Sequence, residues 1–181
     1  MVEFRTLPGF SLLELLVVIA LIGTLIAVAV NRLLPFIDEA ERVAVLRVEG
    51  QLRSSINMEA ARRLVRGQGA SLSELEGSNP FKYLLEPPKN YVGELDGQQV
   101  GEAPVRHWYF DRDARRLVYR TGEPYALSVS EPPDEDPAFA VQVEFVDSDG
   151  NGGFDASRDE LYGVRLIRVA GGEWLSGKAG T

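Results

Sequence analysis

Gly9-Phe10-Ser11-Leu12-Leu13-Glu14-Leu15-Leu16-Val17-Val18-Ile19-Ala20-Leu21-Ile22-Gly23 begins an apolar run that reaches Val30 with one charge, Glu14, and no lysine or arginine. At about 1.5 Å per helical residue, residues 10–30 cover the roughly 30 Å hydrocarbon core of a bilayer. A charge inside such a segment costs about 2.5–3.5 kcal/mol on insertion scales, so it normally has a partner and a purpose. A secretory signal peptide needs a basic leader, a shorter apolar run and a small-residue cleavage site behind it. Here the leader carries Arg5 offset by Glu3, and the notable small residue, Gly9, lies ahead of the apolar run. A plain signal anchor, with Glu14 reaching back to the interface, is the other ordinary reading.

The same residues resemble the prepilin signal of type IV pilins and type II secretion pseudopilins. That family has a glycine before the cut, an N-methylated phenylalanine after it and a glutamate at the fifth mature position. Gly9, Phe10 and Glu14 stand at those places, and Gly23 fits the family's helix. The resemblance spans residues 5–30. It implies a leader (1–9) removed by a prepilin peptidase, a membrane or filament-core helix (10–30), an amphipathic continuation (31–66) and a globular head (67–181). It also implies the inner membrane, an assembly platform and other pilin or pseudopilin subunits as partners, with the head in the periplasm or outside. Glu14 would then pair with the new N-terminal ammonium of a neighbouring subunit. An ion pair in low dielectric offsets the penalty of a lone carboxylate, so assembly would satisfy Glu14.

The rest of the chain fits a tethered domain. Asp and Glu number 27 against 19 Lys and Arg, a balance that argues against a nucleic-acid surface. A DNA-uptake subunit is disfavoured for the same reason. The arginines at 42, 47, 53, 62, 63 and 66 interleave with Glu39, Glu41, Glu49 and Glu59, which reads as a solvated, ion-paired helix face. There is no cysteine. Many type IV pilins close a C-terminal loop with a disulfide, so this chain departs from the pattern.

Past the span, Pro35 is expected to kink or break the helix. Ile37, Ala40, Ala44, Val48, Leu52, Ile56, Ala60 and Leu64 then form an apolar stripe, and Gly67 with Gly69 signals the end near residue 65. Residues 70–92 read as a connector with short turns. Ser71 and Glu74 have capping-box spacing, and Asn79-Pro80 supplies a cap and a first-turn proline.

From residue 105 the period changes to two. Segments 105–110, 116–120, 139–145 and 162–169 alternate, with Asp111-Arg112-Asp113-Ala114-Arg115 as a hairpin turn and 131–137 as an acidic, proline-rich loop. The expected fold is α+β, a long helix packed on an antiparallel sheet of about four strands. That is also the pilin-like arrangement.

One motif in the head has metal-binding spacing. Asp147, Asp149 and Asn151 occupy positions 1, 3 and 5 of a loop, with the Gly153 carbonyl at 7 and Asp155 at 9. Hard oxygen ligands at this spacing suit calcium. The twelfth position is Arg158 instead of a bidentate glutamate, which excludes a true EF-hand and leaves Asp159 or Glu160 to complete a site. The same residues serve a plain hairpin loop, which needs Asp, Asn and Gly.

Catalytic readings are weak. The one histidine, His107, lies in an aromatic strand, and no Cys/His pair, nucleophile triad or phosphate loop is present. The expectation is a non-enzymatic subunit of a type II secretion pseudopilus or type IV pilus. The alternative is an uncleaved, membrane-anchored periplasmic calcium-binding domain.

Overall fold

The computed structural model describes residues 11–122, 134–152, 154 and 158–177. Helix α1 runs from Leu12 to Val65 without interruption, so of the kink or break expected at Pro35 the break does not occur. Its end is set by Gly67 at φ +72°, whose N–H donates to the Leu64 carbonyl while Gln68 N–H reaches the Arg63 carbonyl. A left-handed residue just past the last turn closes a helix in this way, and glycine takes it without strain.

The sheet has five strands in the order β1 to β5: Tyr91–Leu95, His107–Asp111, Arg116–Arg120, Ala138–Val146 and Glu160–Ala170. The chain ends its described part in a short helix α2, Gly172–Ser176. The expectation of about four antiparallel strands is corrected: the sheet is mixed, because β1 pairs parallel to β2. β1 escapes a period-two reading because it is five residues long and Gly93, at φ +113°, breaks its register between Tyr91 and Glu94. A parallel neighbour needs a crossover. Residues 96–106, with a 3₁₀ turn at Gly97–Glu102, provide it. The other four strands match the alternating segments, and the β2–β3 hairpin closes with the Ala114 N–H donating to Asp111 Oδ1 at 2.9 Å.

The core lies between α1 and one face of the sheet. Val45, Leu52, Ile56 and Ala60 from the helix meet Trp108, Phe110, Leu117, Phe139, Val141 and Leu166. Trp108 sits tilted against Tyr119 and Phe139 at 5.0 and 5.8 Å between ring centroids, and Phe81 meets it edge-on at 5.6 Å. The expected stripe is corrected, since Ile37, Ala40, Ala44 and Leu64 are exposed and only Leu52, Ile56 and Ala60 of it are buried. Steps of four gain about 40° each at 3.6 residues per turn, so that stripe winds around the helix. The face that stays on the sheet includes a step of three among steps of four: Val45, Glu49, Leu52, Ile56, Ala60.

Two members of the expected ion-paired face also turn inward. Glu39–Arg42 and Glu59–Arg62 are ion pairs at the surface as read, and Arg63 joins Glu59 in a half-buried pair. Glu49, however, is 3 % exposed. It accepts two hydrogen bonds from Arg168 Nε, at 2.9 and 3.0 Å, and one from Arg168 Nη2 at 2.6 Å, with Arg53 beside it at 2.7 Å. Burial pushes the Glu49 carboxyl up, but the hydrogen bonds and charges of Arg168 and Arg53 outweigh it and leave it below the ordinary range. Glu41 accepts from Tyr119 Oη at 3.0 Å, Arg106 Nε at 2.9 Å and the Gly122 N–H at 3.3 Å.

The connector is made of 3₁₀ turns at Gly69–Leu75 and Pro80–Tyr83. Asn79 caps the second, accepting from the Phe81 N–H, as the sequence suggests. The capping box does not form: Ser71 Oγ donates to the Gln68 carbonyl, and Glu74 turns to Arg63. On β1, Glu94 is held by the Asn79 amide and the Lys82 ammonium, both at 2.9 Å. The Asn79 hydrogen bond, then Lys82, lower the Glu94 carboxyl to about 2.

Two outcomes follow. Arg168→Ala strips Glu49 of its main partner and should destabilise the head by about 3 kcal/mol in denaturant titration, the low end for unpairing a buried charge because Arg53 remains. Because Glu94 titrates near 2 when folded and near 4.5 otherwise, its contribution is complete above pH 4.5 and drains away as pH falls towards 2. The stability gap between wild type and Glu94→Gln, measured by denaturant titration, should therefore close across that window.

Candidate functional site

The amino-terminal turn of α1 is organised by Ser11. Its Oγ accepts the Glu14 N–H at 3.1 Å, and its carbonyl accepts from the Leu15 N–H. This is an N-cap, which answers one of the amides left open at a helix start. Glu14 thus sits in the first turn, where the helix dipole favours an anion. Among the described residues no side chain pairs with the Glu14 carboxylate. Gly9 and Phe10 lie outside the described residues.

Beyond Glu14, Leu12–Val30 is long and apolar enough to cross a membrane, and none of it is buried against the rest of the chain. A single-pass anchor and a signal sequence both fit this helix. Its one hydroxyl, Thr24, donates to the Ala20 carbonyl at 2.9 Å, so no polar group of that side chain is left open to an apolar surround. A Cβ at Gly23 would meet nothing within 4 Å. That glycine is therefore not required by packing inside this chain.

The second candidate lies at the far end of the head, in the loop between β4 and β5. Oxygens of Asp147, Asp149 and Asp159 come within 4.8 Å of one another. Asp147 accepts the Gly150 and Gly152 N–H groups at 2.7 and 2.8 Å, and both glycines have positive φ. Asp149 accepts the Asn151 N–H at 3.2 Å and Arg158 Nη1 at 3.1 Å. Asp159 accepts the Ser148 N–H at 2.9 Å. The Gly152 amide is the main cause holding the Asp147 carboxyl below its ordinary value; slight burial opposes it, and the Gly150 amide adds to it.

Of the expected ligands, Asp147 and Asp149 converge, and Asp159 supplies the third carboxylate. Asn151 is in the same turn, while Gly153 and Asp155 lie outside the described residues. Three converging carboxylates are the donor type a hard cation takes. Arg158 occupies one oxygen of Asp149, so a bound cation would share that carboxylate with a guanidinium. His107 is half-buried in β2, its Nδ1 2.8 Å from the Val105 carbonyl.

Glu41 and Glu49 are the residues that sequence reasoning missed. The available signal was their place on the face shared with Val45 and Leu52, since an acid there must find a cation or hydrogen-bond donor. Comparison of the chain with protein-family models, with curated proteins and with solved structures gave no match.

Proposed function

We propose that the chain is a structural subunit, a pseudopilin or minor pilin of a type II secretion pseudopilus or type IV pilus. In this reading a prepilin peptidase cuts after Gly9, Phe10 becomes the N-methylated terminus, and subunits assemble through α1. The observation that carries it is the join of two features. Gly9-Phe10 and Glu14 lead directly into a helix that is bare over Leu12–Val30 and clad by a sheet from Val45. A helix with one half uncovered needs lipid or other subunits around that half. Glu14 needs a cation, and the ammonium created by the cut is one. The leader is then cytoplasmic and the head lies on the far side of the inner membrane.

The convergence of Asp147, Asp149 and Asp159 supports a calcium site as a second element of the reading. It belongs equally to the alternative, an uncleaved anchored domain that binds calcium. Calcium there would tie the β4 end to the β5 start, adding the metal's binding free energy to folding.

Mass spectrometry of the membrane-extracted protein should find a chain beginning at N-methylated Phe10; an intact Met1 terminus in functional protein would exclude the processed subunit. Glu14→Ala should be cut and inserted normally yet recovered in filaments at a small fraction of the wild-type level, and full incorporation would refute the pairing. Millimolar calcium should raise the melting temperature of the head by a few degrees for wild type and leave Asp149→Ala unmoved. Identical melting of wild type with calcium or chelator would remove the metal from the reading.

A further inference from the structure

α1 meets the sheet with two kinds of side chain. Val45, Leu52, Ile56 and Ala60 are buried aliphatics, whereas Glu41 and Glu49 are acids on the same side, tied to Arg106, Tyr119, Gly122 and Arg168. Three of these four aliphatic positions keep an apolar side chain when the helix slides along its axis by four residues. A shift of four residues puts Val48 or Ile56 in the place of Leu52, Leu52 or Ala60 in that of Ile56, and Ile56 or Leu64 in that of Ala60. Each replacement keeps the apolar pattern, and the main change of volume is at the place of Ala60, which would receive isoleucine or leucine.

The acids do not tolerate it. The same slide puts Glu41 or Glu49 into the place of Val45, a position 1 % exposed within the aliphatic cluster. It also presents Val45 or Arg53 to Arg168, and Ile37 or Val45 to Arg106 and Tyr119. A buried carboxylate stripped of its cation is strongly penalised, and the best-attested use of a buried polar contact is to specify register.

We propose that Glu41 and Glu49 are register pins, which select one axial position of α1 against the sheet from several that the aliphatic face alone would accept. They are two turns apart, about 12 Å along the axis. One holds the start of β2 and the end of β3, the other holds β5. Because the apolar span ends at Val30, the pins also set how far the head stands from it. A slip of four residues moves the head by about 6 Å. This docking holds whether or not the chain assembles, so its failure would leave the filament reading untouched.

The chain lacks cysteine, so spin labels can be confined to two introduced sites. Met58→Cys and Val105→Cys are both exposed positions. Val105 adjoins Arg106, the partner of Glu41, so the vector to position 58 runs mainly along the helix. Pulsed electron resonance on the full chain in detergent should give one distance for the pinned protein. The combined Glu41→Leu, Glu49→Leu and Arg168→Leu variant should show a second population displaced by about 6 Å. A folded triple variant that keeps the single original distance overturns the proposal.

Should the triple variant unfold, a transposed set decides: Ile37→Glu, Glu41→Ile, Val45→Glu and Glu49→Val move both pins one turn towards the N-terminus. The expected result is a single distance, about 6 Å longer than in the parent. An unshifted distance, or a head that does not fold, overturns the proposal, since the slid packing would then not be available.

Discussion

An α-helix answers its own backbone polar groups four residues away, and this self-sufficiency lets one element serve two different surroundings. α1 uses it fully. From Leu12 to Val30 its side chains are apolar and uncovered; from Val45 to Ala60 one side is sealed by the sheet. No strand or loop could make that passage, because each would carry unanswered amides out of the head. The rest of the protein is arranged around this need. The sheet has to supply a face for about four turns of helix and hold it there.

It does so without covalent staples. Side-chain acceptors tie down segments that a disulfide might otherwise hold. Asp136 takes both the Thr121 N–H and hydroxyl, at 2.9 and 2.7 Å, next to the departure of the chain from β3. Glu76 receives the Val143 N–H at 2.5 Å, while the Gly77 N–H donates to the Val141 carbonyl. Among the described residues β3 pairs with β4 at Leu117 and Val118, and the Tyr119 N–H donates to the Pro137 carbonyl. The connector thus continues the edge of β4 beyond the point where β3 stops. Gly77 suits this slot because the Arg115 guanidinium lies where its Cβ would be, and Arg115 Nη2 donates to the Glu76 carbonyl at 2.5 Å.

The legible parts of this structure are those whose signal is local. The helix announces itself through apolar continuity and its closing Gly67, the Asn79 cap through the proline behind it, and strands β2 to β5 through alternation. β1 was illegible because Gly93 and a register shift erase alternation within five residues. The inward turn of Glu41 and Glu49 was illegible for a different reason: their partners lie 65 and 119 residues away, and spacing on a helix cannot say which cations the sheet will bring. The β4–β5 loop falls between. Its Asp147 and Asp149 stand out in the sequence, whereas Asp159 joins them only because antiparallel pairing of β4 with β5 folds the chain back on itself.

The strand order also fixes a sequence of events. Neighbouring strands are successive in the chain, so much of the sheet is built from nearby partners, a topology that closes quickly. The contact between Glu49 and Arg168 is the opposite case, joining the element made first to one made nearly last. During synthesis at roughly 5–20 residues per second, several seconds separate the completion of α1 from that of β5, so Glu49 is made well before its main cation. Through that interval the connector and the earlier strands can already cover part of the helix, whereas the Glu49 carboxylate has only Arg53 beside it.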